Sequence, residues 1–286
     1  IKIDLKPMKK QLIIHADDAG LAWSENQATQ KGMLEGSISS CSLMVPCPWF
    51  YNMAQFCLQN PGLDYGIHLT LTGEWKSYPF RSVLPPAQVS SLLDEKGHFY
   101  PKRNQFLEKV NAAEAYLELK AQIDRALSFG LTPSHLDSHM FTLGMRQDLV
   151  DVYRQLGKEY QLPILLSKKL INLTGASADT IDLGDATVYE QIFMGDFELF
   201  NGQGLASYYD RVLDNLPEGL SLLLIHPADR SAEMDEITID HPNFGAVWRA
   251  EDATYFSSAH CREKIKANGI ELVHWGSPDV LSQYRA

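Results

Sequence analysis

From Leu12 onward, short apolar β-favouring runs alternate with longer stretches whose apolar positions recur at helical spacing. Leu12-Ile13-Ile14-His15-Ala16 reads as a buried strand running into Asp17-Asp18-Ala19-Gly20. A helix is predicted from Ser24, with Ser24 and Gln27 as a capping box and Gly36 at its end. Residues 38–45 predict a second strand. Pro48 then stands at a first helical position, and Phe50, Met53, Ala54 and Cys57 keep helical spacing up to Asn60-Pro61-Gly62. Residues 65–71 predict a third strand. Residues 72–101 hold four prolines and little periodicity, which reads as a long excursion over a site.

Further on, residues 104–128 carry the longest helical pattern, stopped by Gly130 and Pro133. Residues 134–140 are strand-like, 146–160 helical and 163–166 a short strand, while 170–205 show no clear period. Residues 220–225 are a strongly apolar strand, 247–267 a helix and 270–275 a strand, with Ser277-Pro278 opening a terminal helix. Repeated strand–helix alternation implies an α/β fold with a mostly parallel sheet, open or closed into a barrel. No linker, low-complexity tract or internal repeat interrupts it, so residues 1–286 read as a single domain.

Composition narrows the partners. The chain has 286 residues, and 25 Lys and Arg against 36 Asp and Glu leave a net charge of −11. An acidic balance without a basic stripe argues against nucleic acid, and no run of ~20 apolar residues spans a membrane. Cys41, Cys47, Cys57 and Cys261 include no CxxC pair, so buried free thiols are expected in place of a zinc ribbon, with a disulfide as the alternative. Few cysteines and no visible leader favour the cytoplasm, and a first residue other than Met leaves an exported form open.

Polar clusters stand at the carboxyl ends of four predicted strands, the face on which parallel α/β enzymes build their sites. They are Asp17-Asp18, His68, His135-Leu136-Asp137-Ser138-His139 and His226. Strand alternation puts His135, Asp137 and His139 on one face. Neutral imidazoles beside an ionised carboxylate suit zinc or a similar divalent ion. Each cluster has a plainer reading: a turn or helix cap for the Asp pair, a hydrogen-bonded core histidine for His68 or His226. Their joint occurrence at four strand ends favours chemistry. His15, His98, His241, His260 and His274 read as structural or solvated, with His15 the nearest to the Asp pair.

The segments His15-Ala16-Asp17-Asp18-Ala19-Gly20, Gly66-Ile67-His68-Leu69-Thr70-Leu71-Thr72 and Ser134-His135-Leu136-Asp137-Ser138-His139 resemble, in order and spacing, the signatures of the YdjC-like carbohydrate deacetylases. The resemblance implies a distorted TIM-like (β/α) barrel, often dimeric, with one divalent metal ion per chain, zinc or magnesium. Its ligands would be Asp18, His68 and His139, with Asp17 as catalytic base and an N-acetylated sugar as substrate. The chain departs from the family pattern at Ala19, where an aromatic residue is common, and at Met140-Phe141-Thr142, where further histidines are common; both places would line the pocket. His226 is the candidate general acid, because an imidazole titrates in the useful range. Asp137 would orient an imidazole or meet a substrate hydroxyl, and His135 could serve either purpose. Trp49, Tyr51, Trp75, Tyr78 and Phe80 could stack on pyranose rings or pack the excursion down. The competing readings are a metal-dependent barrel hydrolase of another amide or a phosphoester, and a catalytically silent sugar-binding barrel.

Overall fold

The computed structural model describes residues 9–184, 186 and 189–281. Seven strands, β1 (Lys10–Ala19), β2 (Ser40–Leu43), β3 (Tyr65–Leu69), β4 (Leu136–Ser138), β5 (Ile192–Met194), β6 (Gly219–Ile225) and β7 (Ile270–Leu272), pair only in parallel. Parallel neighbours need crossovers, and the intervening helices supply them. The strand order is β4-β3-β2-β1-β6-β5, with β7 also on β1. β6 lines one edge of β1 from Lys10 to Ala16. β7 and β2 share the other edge, β7 along Lys10–Leu12 and β2 from His15 upward. Beyond β4 a single bridge joins Leu136 to Ile164, and Tyr189 N donates to Leu166 O at 2.8 Å just ahead of β5. The curled sheet thus returns on itself through isolated hydrogen bonds, giving the expected distorted (β/α) barrel.

Alternation along the strands sorts side chains into two layers. Leu12, Ile14 and Ala16 of β1 and Leu223 and Ile225 of β6 join the large core under the helices. Ile13, Leu222 and Leu224 point inward, where they pack with Val273, Trp275 and Tyr189. Each such buried aliphatic contributes roughly 1.5–3 kcal/mol. The inward register carries His15 and Asp17 above Ile13, and His226 above Leu224.

Several predicted boundaries shift. The first helix is Trp23–Leu34, its N-cap is Ala22 without a side-chain bond, and the Ser24 hydroxyl is buried without a partner, so the capping box does not form. The next helix starts at Phe50, two residues after Pro48. The long pattern over 104–128 is two helices, Arg103–Lys109 and Ala112–Ser128, divided where Asn111 accepts hydrogen bonds from Ala113 N and Glu114 N. Similarly, 247–267 splits into Ala246–Phe256 and Ala259–Ala267 at the Ser258 cap. The unassigned stretch 170–205 holds the end of a helix Lys168–Leu173, then β5 and the helix Phe197–Gly202. All four cysteines are buried and free. Among the described residues no helix is long and apolar enough to cross a membrane.

Candidate metal centre and catalytic site

At the carboxyl end of β1 the pairing register slips between Ala16 and Ala19, and Asp18 adopts a left-handed φ of 66°. Aspartate tolerates that region better than most residues. The slip breaks the alternation, so the successive side chains of Asp17 and Asp18 both line the same cavity. β3 contributes His68, β4 leads into His139, and β6 ends at His226. These strand ends surround a cavity of about 460 Å³.

Three atoms meet at its floor. Asp18 Oδ1 lies 3.3 Å from His68 Nε2 and 3.2 Å from His139 Nδ1, and the two ring nitrogens are 3.3 Å apart. Donors held about 2.0–2.1 Å from one tetrahedral ion are separated by about 3.3–3.4 Å, so this triangle fits a single divalent cation. Asp18 Oδ1 is buried and has no hydrogen bond among the described residues, as an oxygen reserved for a cation would.

The outward atoms of these three side chains are held in turn. Asp137 Oδ1 accepts from His68 Nδ1 at 2.8 Å, and Glu74 Oε2 accepts from His139 Nε2 at 2.9 Å. Arg249 donates to Asp18 Oδ2 at 2.7 Å and to Glu25 Oε2 at 2.5 Å. Each imidazole is thereby aimed with one fixed nitrogen inward, the arrangement that metal-binding histidines require. Glu74, Glu25 and Arg249 were not singled out from the sequence.

Asp17 stands beside the triangle. Its Oδ1 is 3.2 Å from His15 Nε2, and its Oδ2 is 3.6 Å from His226 Nε2. His15 is fully buried in the barrel, where Nε2 also faces Asp137 Oδ2 at 2.9 Å and Nδ1 meets Ser40 Oγ at 3.0 Å. The residue set aside as structural therefore joins the proposed base to the carboxylate behind His68. His226 is fixed through its backbone, whose N–H donates to Asp252 Oδ2 at 2.9 Å, while its ring packs on Phe244.

Electrostatics divide these histidines. Burial opposes protonation of His15, but hydrogen bonds to Asp137 and Asp17 prevail and raise it to about 9. Burial likewise opposes His139, yet Glu74 and Asp18 bring it to about 9, and Asp137 and Asp18 hold His68 well above its usual range. Burial also opposes ionisation of Asp18, but Arg249, His139 and His68 keep it well below the carboxylate range. Three buried histidines drawn toward the charged form mark a place where positive charge is wanted. His226 goes the other way, pushed down to about 4 by burial. It is neutral at rest, which corrects the expectation of an imidazole titrating near neutrality.

Other expectations are redistributed. Asp137 does face inward with His135, but both its oxygens are taken by His68 and His15, leaving it no substrate hydroxyl to meet. His135 lies one layer below the floor, stacked on Trp275 at 4.4 Å and 13°, and burial and the His15 charge lower it to about 4. It belongs to the packing beneath the site, away from the Asp18, His68 and His139 triangle. Of the five aromatics, only Trp75 lines the cavity; it is 1% exposed beneath the Arg249 guanidinium and edge-on to His241, which leaves no open face for a sugar. Trp49 leans on Trp23 and donates to Glu233, Tyr51 is exposed against Phe129, Tyr78 donates to Leu21 O, and Phe80 is buried. The aromatic wall comes instead from Phe141, Phe197 and Phe244. Met140 and Phe141 line the cavity with left-handed φ of 52° and 55°, whereas Ala19 is buried away from it.

The chain is similar to known proteins over most of its length. A curated relative from Thermus thermophilus, named carbohydrate deacetylase, is 33% identical over 88% of this chain and 87% of its own length. One of the same name from Enterococcus faecalis is 29% identical over 94% and 98%. A solved structure from E. faecalis, named as a candidate cellobiose-phosphate cleavage protein, superposes with a TM-score of 0.73 at 26% identity, covering 93% of this chain and 98% of that one. Residues 11–267 match the model of the YdjC-like protein family, and the chain belongs to that family.

Proposed function

We propose that the protein is a carbohydrate deacetylase that removes the N-acetyl group of an amino sugar or oligosaccharide, with one divalent metal ion, zinc or magnesium, held by Asp18, His68 and His139. The observation that carries the reading is the 3.2–3.3 Å triangle of one carboxylate oxygen and two imidazole nitrogens with the separate carboxylate of Asp17 beside it. The names of the relatives support the substrate class. A bound divalent ion there would polarise the acetamide carbonyl and acidify a water molecule.

The chain's own groups then move the protons. Asp17 is not one of the three ligands, so its carboxylate is free to take the proton of the attacking water. The leaving amine needs a proton in return. His226 Nε2, 3.6 Å from Asp17 Oδ2, accepts the proton from Asp17 and delivers it to the amine nitrogen. Its lowered pKa makes it a ready donor once charged. Asp137 and Glu74 keep the His68 and His139 rings aimed at the floor.

Calorimetric titration of the metal-stripped protein with Zn²⁺, beside His139→Ala, tests the reading. One tight site in the parent and none in the variant is expected, with acetate released from an N-acetylated sugar by the loaded parent only. A folded parent without a site would remove the metal reading. A loaded parent that binds sugars and releases no acetate would point to the silent sugar-binding barrel.

A further inference from the structure

A second cavity, of about 550 Å³, adjoins the one that holds the Asp18, His68 and His139 triangle. Arg103 lines both, and the chain neighbours Leu173 and Thr174 line one each, so the two spaces meet at the Arg103 side chain. The second is walled by the start of the helix Arg103–Lys109 and by Thr174-Gly175-Ala176, which follows the helix Lys168–Leu173. Gly175 has a left-handed φ of 90°, and a Cβ placed on it would meet nothing within 4 Å. Glycine there satisfies the backbone angle and leaves the main chain open to a ligand.

Arg103 is half-buried, and the protein makes little use of its guanidinium. Among the described residues it donates once, to Met140 O at 3.4 Å, and no carboxylate stands within ion-pair distance. Arg249, the other arginine of the first cavity, is committed to Asp18, Glu25 and the Phe244 carbonyl. A guanidinium carries several N–H donors in a planar fork, and withdrawing them from water without acceptors is costly. Most of the Arg103 donors are therefore left for a ligand. The first cavity, about 460 Å³, has to hold the acetamide and the ring that bears it, so the next ring of a longer sugar needs other space.

We propose that the second cavity is a subsite for the sugar ring adjoining the one that is deacetylated, with Arg103 as a specificity-determining residue that donates to oxygens of that ring. The inference rests on the deacetylase reading above and makes an oligosaccharide the preferred substrate over a monosaccharide. Leu107 and Met145 give the subsite an apolar wall for the C–H face of a pyranose. Arg103 supplies its polar contacts, and hydrogen bonds from a charged donor are stronger than neutral ones.

The test is acetate release by the zinc-loaded protein from N-acetylglucosamine and from its β-1,4-linked dimer and trimer. The parent should gain about tenfold or more in kcat/KM from the monosaccharide to the dimer or trimer. Arg103→Met keeps the aliphatic stem and removes the donors, so that gain should vanish. Asn104 lines the same cavity and is exposed, so Asn104→Trp fills the space without touching the core and should also abolish the gain. Circular dichroism checks that both variants fold, and Asn104→Trp decides alone if Arg103→Met does not. Equal efficiency of the parent on all three sugars, or a loss in Arg103→Met by the same factor for each, would overturn the proposal. So would a chain-length gain that survives in Asn104→Trp. A parent that releases acetate from none of the sugars would bring down the deacetylase reading and this inference with it; a parent that deacetylates every length alike brings down only the inference.

Discussion

His15 offers a test of the buried charge network that needs no substrate. Its pKa moves from 6.5 to about 9 on folding, against the cost of burial, because Asp137 and Asp17 stabilise the imidazolium. A group raised on folding contributes stability that is fully present below its unfolded value and is lost as pH climbs through the folded one. For His15 the loss therefore falls between pH 6.5 and about 9. At about 1.4 kcal/mol per pH unit this amounts to about 3 kcal/mol. Unfolding entropy of about 2.1 cal/mol/K per residue gives about 0.6 kcal/mol/K for a chain of 286 residues, so the shift is about 5 °C in Tm. The assay is scanning calorimetry of metal-stripped protein at pH 6.5 and 9.5, beside His15→Gln. Thiols and tyrosines also titrate at alkaline pH, so the informative quantity is the difference between parent and variant. The parent should lose about 5 °C more than His15→Gln over that interval. Parallel Tm curves for parent and variant would show that His15 is neutral in the folded protein, and the charge network described here would be wrong.

Asp17→Asn should retain one Zn²⁺ site by calorimetry and lose about 10²–10⁴-fold in kcat for acetate release, whereas loss of the metal would make Asp17 a ligand. His226→Gln should slow the same reaction with metal affinity intact, and an unchanged rate would remove it from the proton path. Glu74→Gln should lower Zn²⁺ affinity about 10–100-fold, because His139 loses the carboxylate that aims it. Gly66→Ala should lower Tm by several degrees, since a Cβ there would come within 2.4 Å of His135 Nε2 in a ring already stacked on Trp275; an unmoved Tm would mean that the layer beneath the floor is loosely packed.

What could be read along the chain were the residues that lie on or directly after a strand. Alternation fixes which way a strand side chain points, so Asp17, His68, Asp137 and His226 followed once the apolar runs around them were recognised. The bulge at Asp18 could not be read that way, because it suspends the alternation: a strictly pleated strand would have turned Asp18 away from the cavity that Asp17 enters. The carboxylates and the cation that hold Asp18 and His139 were less accessible still. Glu74 sits in an excursion without period, and Arg249 in a helix whose pattern reads only as amphipathic, more than 200 residues from the Asp18 it grips. Glu25, in the first turn of a helix, looks like an ordinary solvated acid that favours the helix dipole. Only the packing of the helices Trp23–Leu34 and Ala246–Phe256 on one another beside β1 brings Glu25, Asp18 and Arg249 into contact. The contacts of His15 were hidden for a related reason: between apolar neighbours, a packed core histidine and one that meets two carboxylates have the same sequence pattern. The difference lies in Asp137, 122 residues away on a strand that reaches it across β2 and β3. Supporting residues depend on contacts distant in sequence, whereas the candidate ligands depend on where strands end, and the two kinds of information are legible to different degrees for that physical reason.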